Sequence, residues 1–249
     1  MLLVVGCGTG SSGTGSEGGA AGGSSAVAQP ITVFAASSLT EAFTRIGADF
    51  TAASGSPVTF SFGSSATLAT QISSGAPADV FAAASPATMK TVVDAGGVTA
   101  PVDFVSNSLQ IAVPRGNPAK VTGLADFADD RRTIALCAPQ VPCGGAAEQV
   151  FAAAGITPKP DTLEQDVKAA LAKVVADEVD AALVYRTDVL AAAGDVEGID
   201  FPEAAQAANA YPIAVLTASK ASGTAQSFVD YVLSPEGQAV LARAGFAKP

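Results

Sequence analysis

The chain has 249 residues, a net charge of −10 and no histidine. Because histidine is the usual general base of enzymes and the commonest metal ligand, neither a Ser–His nor a Cys–His catalytic pair can be built. The acidic balance makes nucleic acid and anionic membrane surfaces unfavourable partners. The length allows one large or two modest α/β domains, and no run approaches eighteen apolar residues, so we predict no membrane span.

The chain begins with four apolar residues after Met1, followed by Gly6 and Cys7. This start resembles the lipobox of bacterial lipoproteins, in which the signal peptide is cut before the cysteine and the thiol carries lipid. The resemblance implies that the protein is anchored to the cell membrane through a lipid on Cys7. A hydrophobic start with no such role is the alternative.

Residues 8–29 consist mainly of Gly, Ser and Ala. Such a composition buries too little apolar surface to offset the entropy lost when the chain is ordered. We therefore predict that residues 1–29 form a lipobox remnant and a flexible tether, and that the folded body begins at residue 30.

From residue 30 onward, short apolar runs typical of buried strands alternate with the spacing typical of amphipathic helices. Continuous apolar runs are expected where helices cover both faces of a sheet, so the pattern predicts an α/β fold with mixed, mostly parallel sheets. The predicted strands are residues 31–36, 58–62, 79–84, 109–113, 133–137, 180–185 and 211–216. The predicted helices are residues 39–53, 66–74, 85–95, 144–154, 167–177, 187–193, 222–233 and 235–244.

Two segments, residues 107–118 and 208–216, have the pattern of strands that cross between two units. If both cross, the middle of the chain forms one lobe and the two chain ends form the other. A single doubly wound sheet built from the same elements is the alternative, and the residues alone do not separate the two.

Four predicted strand-to-helix turns contain small or capping residues. In the first, the series Ser38-Leu39-Thr40-Glu41 fits a capping box. The second and third turns contain Gly63-Ser64-Ser65 and Val141-Pro142-Cys143-Gly144-Gly145. In the fourth, Asp166 is placed to cap the helix that begins at Val167.

Turns of this kind lie at the carboxyl ends of strands, where α/β sheets bind ligands, and helix N-termini present unpaired N–H groups to anions. Several such turns meeting at one place would make an anion site without Lys or Arg. A site of neutral donors suits an anion that is fully deprotonated, because a protonated anion would leave its own hydrogen without an acceptor. Simple capping by Ser38 and Ser65 is the alternative.

Five segments resemble, in chain order, the molybdate-binding proteins of bacterial ABC importers, which are class II periplasmic-type binding proteins. They are ITVFAASSLTEAF, FSFGSSATLATQISSGAPADVFAAAS, VPCGG, DVKAAL and ALVYRTD. The resemblance covers residues 31–246 and implies two α/β lobes of the periplasmic-binding-protein type. Residues 30–108 and 212–249 would form lobe one, residues 109–211 lobe two, and the ligand cleft would lie between them.

The resemblance also implies a set of ligand-binding residues. Ser38 and Ser65 would bind an oxyanion through their hydroxyl and backbone N–H groups. Cys143 and Val167 would donate backbone N–H groups, and Tyr185 would donate its hydroxyl. The family commonly has alanine at the position of Cys143, but a main-chain contact survives that difference.

Cys137 and Cys143 are six positions apart in the segment CAPQVPC. Outside the cytoplasm, such a pair can close a small disulfide loop, and this loop would hold the turn that presents the Cys143 N–H group. We predict the disulfide over the alternative of two free buried thiols.

The resemblance implies an extracytoplasmic, lipid-anchored receptor that captures molybdate, and tungstate as well. It would deliver the anion to the membrane permease of an ABC importer. The protein would act as a monomer, without catalysis, without a cofactor and without direct protein ligands to the metal. The alternatives are a receptor for sulfate or phosphate, a serine-nucleophile enzyme and a structural surface lipoprotein. The enzyme is disfavoured because no S-x-x-K pattern occurs at Ser38 or Ser65.

Overall fold

The structure, a computed structural model, describes residues 2–3 and 29–249. The predicted lipid attachment at Cys7 and nearly all of the predicted tether lie outside the described residues. Within the described part of the chain, no helix combines the length and the apolar character needed to cross a membrane.

Strands and helices alternate along the described chain. The strands are β1 (Ile31–Ala36), β2 (Val58–Gly63), β3 (Val80–Ala82), β4 (Val102–Asn107), β5 (Leu109–Pro114), β6 (Ile134–Cys137), β7 (Thr162–Glu164), β8 (Ala181–Tyr185), β9 (Val196–Ile199) and β10 (Asn209–Val215). The helices are α1 (Thr40–Ser54), α2 (Ser65–Ser73), α3 (Pro86–Asp94), α4 (Pro142–Ala154), α5 (Val167–Val175), α6 (Arg186–Ala191), α7 (Ser222–Leu233) and α8 (Pro235–Arg243).

The strands form two five-stranded sheets, with orders β2-β1-β3-β10-β4 and β7-β6-β8-β5-β9. In the first sheet β1 pairs in parallel with β2 and β3, and β10 is antiparallel to both of its neighbours. In the second sheet β6 pairs in parallel with β7 and β8, and β5 is the reversed strand. Each sheet is therefore mixed with one reversed strand, which confirms the predicted two-lobed α/β class.

We call the first sheet with α1, α2, α3, α7 and α8 lobe one, and the second sheet with α4, α5 and α6 lobe two. Helix α1 shows why these elements form. It buries Phe43, Ile46 and Phe50 at helical spacing against the first sheet, and it ends at Gly55, whose φ of 74° favours glycine.

All seven predicted strands and all eight predicted helices form, with bounds that differ by at most two residues. Three strands, β4, β7 and β9, were not predicted. Each is an edge strand, and each is short or carries polar and exposed residues. An edge strand is covered on fewer sides than a central one, so its sequence lacks the continuous apolar run used for the prediction.

The chain passes between the lobes at two adjacent places. One residue, Ser108, separates β4 of lobe one from β5 of lobe two. The chain returns through a short 3-10 segment, Pro202–Ala207, into β10 of lobe one. Because β10 begins at Asn209, the predicted division at residues 211 and 212 lies inside this strand, and the numbered lobe bounds remain a prediction.

Candidate anion-binding site

The four turns singled out in the sequence meet at one edge between the sheets. They follow β1, β2, β6 and β7, and the end of β8 at Tyr185 lies beside them. Within each lobe these strands run parallel, so their carboxyl ends reach the same side of the sheet, which is the usual ligand position in α/β folds.

All five residues that the resemblance assigned to the ligand line one cavity, and each is at most 4% exposed. Lobe one contributes two of them and lobe two contributes three. The cavity between the two lobes is small. The five residues are Ser38, Ser65, Cys143, Val167 and Tyr185.

Backbone N–H groups reach the cavity from two helix N-termini of lobe two. Asp166 caps α5 as predicted, because its Oδ1 accepts the N–H groups of Lys168 and Ala169 at 2.8 and 3.0 Å. The cap leaves the N–H group of Val167, the first residue of α5, without an intrahelical partner. Cys143 is the second residue of α4 and is placed in the same way.

A disulfide holds the turn before α4. The sulfurs of Cys137, at the end of β6, and Cys143 are 2.06 Å apart. Next to the bridge, the backbone of Gly144 lies so close to the carbonyl group of Ala138 that a Cβ atom at position 144 would overlap it. The disulfide and this close approach together fix the direction of the Cys143 N–H group.

Ser38 does not cap a helix, so the capping-box interpretation of this turn is wrong. The residue lies in a 3-10 segment, Ser37–Leu39, and α1 begins after Leu39 without a side-chain cap. The Ser38 hydroxyl instead forms a buried hydrogen bond of 2.9 Å with the hydroxyl of Tyr211. This tertiary partner removes the hydroxyl from local capping.

Ser65 also has a tertiary partner. Its Oγ accepts the N–H group of Ala84, two residues after β3, at 3.0 Å. Ser64 precedes α2 and lines the same cavity, and its buried hydroxyl has no hydrogen-bond partner among the described residues. A buried polar group without a partner costs free energy, so this hydroxyl is available to a ligand.

Tyr185 is buried at the end of β8. Its hydroxyl oxygen accepts the side-chain amide of Asn209 at 2.7 Å. Burial, reinforced by the neighbouring Tyr211 and Asp188, raises the pKa of the Tyr185 hydroxyl well above its ordinary value. The hydroxyl therefore keeps its proton at neutral pH and can donate it.

No Lys or Arg is among the residues that line the cavity. The Lys168 ammonium lies in the first turn of α5 but forms a cross-lobe ion pair with Glu41 at 2.8 Å, and it is 3.1 Å from Asp188. Burial opposes the charge of Lys168, but the two carboxylates outweigh burial and raise the pKa of its ammonium group. This cation is therefore engaged in joining the lobes.

Asp188 is fully buried beneath the end of β8. Burial raises the pKa of its carboxyl group to about 6, and the Lys168 charge limits that rise. One carboxylate oxygen accepts the N–H group of Tyr185 at 3.2 Å. Asp188 thus helps to hold both the backbone of Tyr185 and the ammonium group that joins the lobes.

Sequence reasoning missed three polar side chains behind the cavity: Asn107 and Tyr211, which are buried, and Asn209, which is half-buried. A signal was present, since each predicted crossing segment has an asparagine at its first or second position. An asparagine at a place where the chain crosses between the lobes needs several hydrogen-bond partners, and residues on both lobes can supply them.

The geometry of the site suits the binding of a small anion. Neutral hydroxyl and N–H donors from two lobes face one small cavity, as a tetrahedral or similar small anion requires. Neither Ser38 nor Ser65 is hydrogen-bonded to a carboxylate or an amine that could act as its base. Within residues 2–3 and 29–249, no cluster of three or more His, Cys, Asp or Glu side chains could hold a metal ion. Fold and site together define a two-lobed solute-binding protein.

Comparison with known proteins gives the family. Residues 31–247 match the model of the bacterial extracellular solute-binding protein family, so the chain belongs to this family. The molybdate-binding protein ModA of Mycobacterium tuberculosis is 42% identical over 224 residues, which are 89% of this chain and 86% of ModA. The ModA protein of Escherichia coli is 34% identical, over 87% of this chain and 88% of that protein. These relatives confirm the resemblance inferred from the sequence motifs.

Solved structures confirm the fold. The periplasmic molybdate-binding protein of Azotobacter vinelandii matches with a TM-score of 0.74, covering 88% of this chain and 99% of that one, at 19% identity. The sulfate-binding protein SubI of Mycobacterium tuberculosis matches with a TM-score of 0.77, covering 88% of this chain and 87% of that one, at 20% identity. At identities this low, the structural matches show only the fold. Which anion the protein binds must therefore be argued from the site.

Proposed function

We propose that this protein captures molybdate, and tungstate as well, outside the cytoplasm and delivers it to the permease of an ABC importer. One observation carries the proposal: neutral donors from both lobes converge on a cavity without a Lys or Arg side chain in its lining. The protein performs no catalysis in this role and needs no cofactor.

Five residues hold the anion in this proposal. Ser38 and Ser65 donate hydroxyl and backbone N–H groups, Cys143 and Val167 donate backbone N–H groups, and Tyr185 donates its hydroxyl. Ser64 adds a sixth residue, because its buried hydroxyl lines the same cavity without another partner. The molybdenum atom is reached only through its oxygens.

The donors lie on opposite lobes, so a bound anion favours the closed arrangement. A ligand shifts a conformational equilibrium by its difference in affinity for the two states, and here only the closed state offers all the donors at once. Each hydrogen bond to a charged group contributes roughly 1.5–3 kcal/mol. A handful of such bonds is enough for micromolar binding after the costs of association.

Location outside the cytoplasm is supported by the disulfide, since such bonds persist in oxidising compartments. The proposal keeps the lipid on Cys7 as the membrane anchor and the monomer as the working state. Mass spectrometry of protein purified from the membrane of its own host tests the lipid, and light scattering tests the monomer.

Calorimetric titration with molybdate, tungstate, sulfate and phosphate in one buffer tests the proposed function. We expect molybdate and tungstate to bind in the micromolar range or tighter, and sulfate and phosphate to bind at least 100-fold more weakly. Tighter binding of sulfate or phosphate would replace molybdate with that anion as the ligand. Absence of binding by all four anions would overturn the proposal.

A serine variant tests the position of the site. Ser65→Ala should weaken molybdate binding about 10- to 100-fold, because it removes one hydrogen bond to a charged group. Ser73→Ala, on the exposed face of the same helix, is the matched control and should bind like the parent. Parental affinity in Ser65→Ala would place the anion elsewhere.

A further inference from the structure

Two asparagines, Asn107 buried and Asn209 half-buried, face each other where the chain crosses between the lobes. Asn107 ends β4, Asn209 begins β10, and the two are partners in the antiparallel register of these strands. Each donates hydrogen bonds to residues that belong to lobe two. Both therefore lie behind the anion site and at the crossing itself.

Asn209 determines how the Tyr185 hydroxyl is used. The Asn209 amide nitrogen is oriented by the Pro142 carbonyl oxygen, 3.5 Å away, and donates to the Tyr185 oxygen at 2.7 Å. An amide nitrogen has no acceptor capacity, so Tyr185 must be the acceptor in this bond. In the proposed arrangement the proton of Tyr185 points toward the cavity that this residue lines, rather than toward Tyr211.

Asn107 acts on Ser38 through Tyr211. The N–H group of Ser108 donates to the Asn107 carbonyl oxygen, and this fixes the amide nitrogen toward Thr187 and Tyr211. The Tyr211 oxygen thus faces a donor at 3.4 Å. In the proposed arrangement Tyr211 donates to Ser38 Oγ, 2.9 Å away, and the Ser38 proton is released toward the cavity.

The Ser65 hydroxyl is also held as a hydrogen-bond acceptor, in this case by a backbone donor. Its oxygen accepts the Ala84 N–H group, which leaves the Ser65 proton for the cavity. Three hydroxyls on two lobes are therefore each held from behind as acceptors. Burial raises the pKa of Tyr185 and of Tyr211 above the ordinary tyrosine value, so both phenols remain protonated at neutral pH.

We propose that Asn107 and Asn209 are specificity-determining positioning residues that turn the site hydroxyls into donors only. The inference rests on the proposed function and deepens it. A fully deprotonated dianion finds a donor at each hydroxyl, whereas hydrogen phosphate brings a proton that these hydroxyls do not accept. Asp166, which also lines the cavity, accepts two N–H groups through Oδ1, so the discrimination proposed here is that of the hydroxyls alone.

A double-mutant cycle on binding tests the Asn209 arm. Molybdate titrations compare the parent with Asn209→Leu, Tyr185→Phe and the double variant at pH 7.5. We expect Asn209→Leu to weaken binding about 10- to 100-fold in the parent and less than threefold in the Tyr185→Phe background. Asn107→Leu with Ser38→Ala forms the second cycle, with the same expectation.

The ratio of molybdate affinity to phosphate affinity distinguishes two roles of Asn209: control of the direction of the Tyr185 proton, and a purely structural role. Asn209→Leu frees the Tyr185 hydroxyl to rotate and accept, so this ratio should fall at least fivefold. A structural role would weaken both anions alike and would add to the effect of Tyr185→Phe. Gln226→Leu, an exposed amide on α7, is the control and should leave both affinities unchanged.

The outcomes are distinguishable from failure of the proposed function. If the parent does not bind molybdate, the proposed function fails. If the parent binds but the variants act additively and keep the affinity ratio, this inference alone is overturned. Thermal unfolding checks that each variant folds. If a leucine variant does not fold, Asn209→Ala or Asn107→Ala replaces it in the same double-mutant cycle.

Discussion

The two lobes share a sheet order but differ in how their cores are packed. In lobe one an aromatic cluster fills the core, with ring centroids 5.4–6.2 Å apart. Its members are Phe43, Phe50, Phe60, Phe104 and Phe228. In the described part of lobe two, Phe127 and Phe151 form the one aromatic pair within the lobe, and Ala and Val side chains fill most of the rest.

The two walls of the site, one from each lobe, also differ in how they are built. Lobe one presents hydroxyl groups of Ser38 and Ser65, which tertiary hydrogen bonds hold in place. Lobe two presents backbone N–H groups at Cys143 and Val167, which a disulfide and a helix cap hold in place. One wall of the site therefore depends on side-chain identity and the other on backbone shape. Mutations should therefore separate binding from stability in lobe one and couple them in lobe two.

The largest expected effect breaks the aromatic core of lobe one. Phe43→Ala removes a fully buried ring that contacts three other phenylalanines, so we expect a loss of about 3–5 kcal/mol in the free energy of unfolding. Urea denaturation followed by circular dichroism measures it. Phe151→Ala should cost less, because this ring borders a surface groove that water can enter. An equal or larger loss at Phe151 would contradict the comparison.

The next effect removes the covalent support of lobe two. Replacing Cys137 and Cys143 together by Ser should lower the free energy of unfolding by about 2 kcal/mol, as expected for a loop this short. It should also weaken molybdate binding, because the Cys143 N–H group loses its fixed direction. Ser64→Ala should weaken binding at nearly parental stability, because the Ser64 hydroxyl has no other hydrogen-bond partner among the described residues. If the disulfide variant lost stability but kept full affinity, the proposed coupling in lobe two would be wrong.

The smallest effect concerns the ion pair between the lobes. Glu41→Gln removes a half-exposed partner of Lys168, so binding should weaken no more than about fivefold, in line with the 0.2–1 kcal/mol of exposed ion pairs. The difference from the parent should shrink at high salt. Asp49→Asn breaks the Arg45–Asp49 pair within α1 and is the matched control, with parental affinity expected. A tenfold or larger loss in Glu41→Gln would show that the ion pair does more than join exposed surfaces.

Much of the fold could be predicted because its signals are local. The apolar runs of β1, β5 and β8 lie in central strands whose burial is almost complete, and their sequences show it. Edge strand β7 was not predicted because its three residues, of which Leu163 is exposed and the other two are half-buried, form no continuous apolar run. The turns that line the site could be found for the same local reason, since small and capping residues mark helix starts.

By itself the sequence determined where the eight helices and seven of the ten described strands form, that capture suits the chain better than histidine-based catalysis, and which turns could face an anion. Only the tertiary structure decided what each hydroxyl does there. The series that begins at Ser38 fits a capping box, yet the hydrogen-bond partner of the Ser38 hydroxyl is Tyr211, 173 residues away. A hydroxyl can donate or accept, and its direction depends on groups that only folding brings within hydrogen-bond distance.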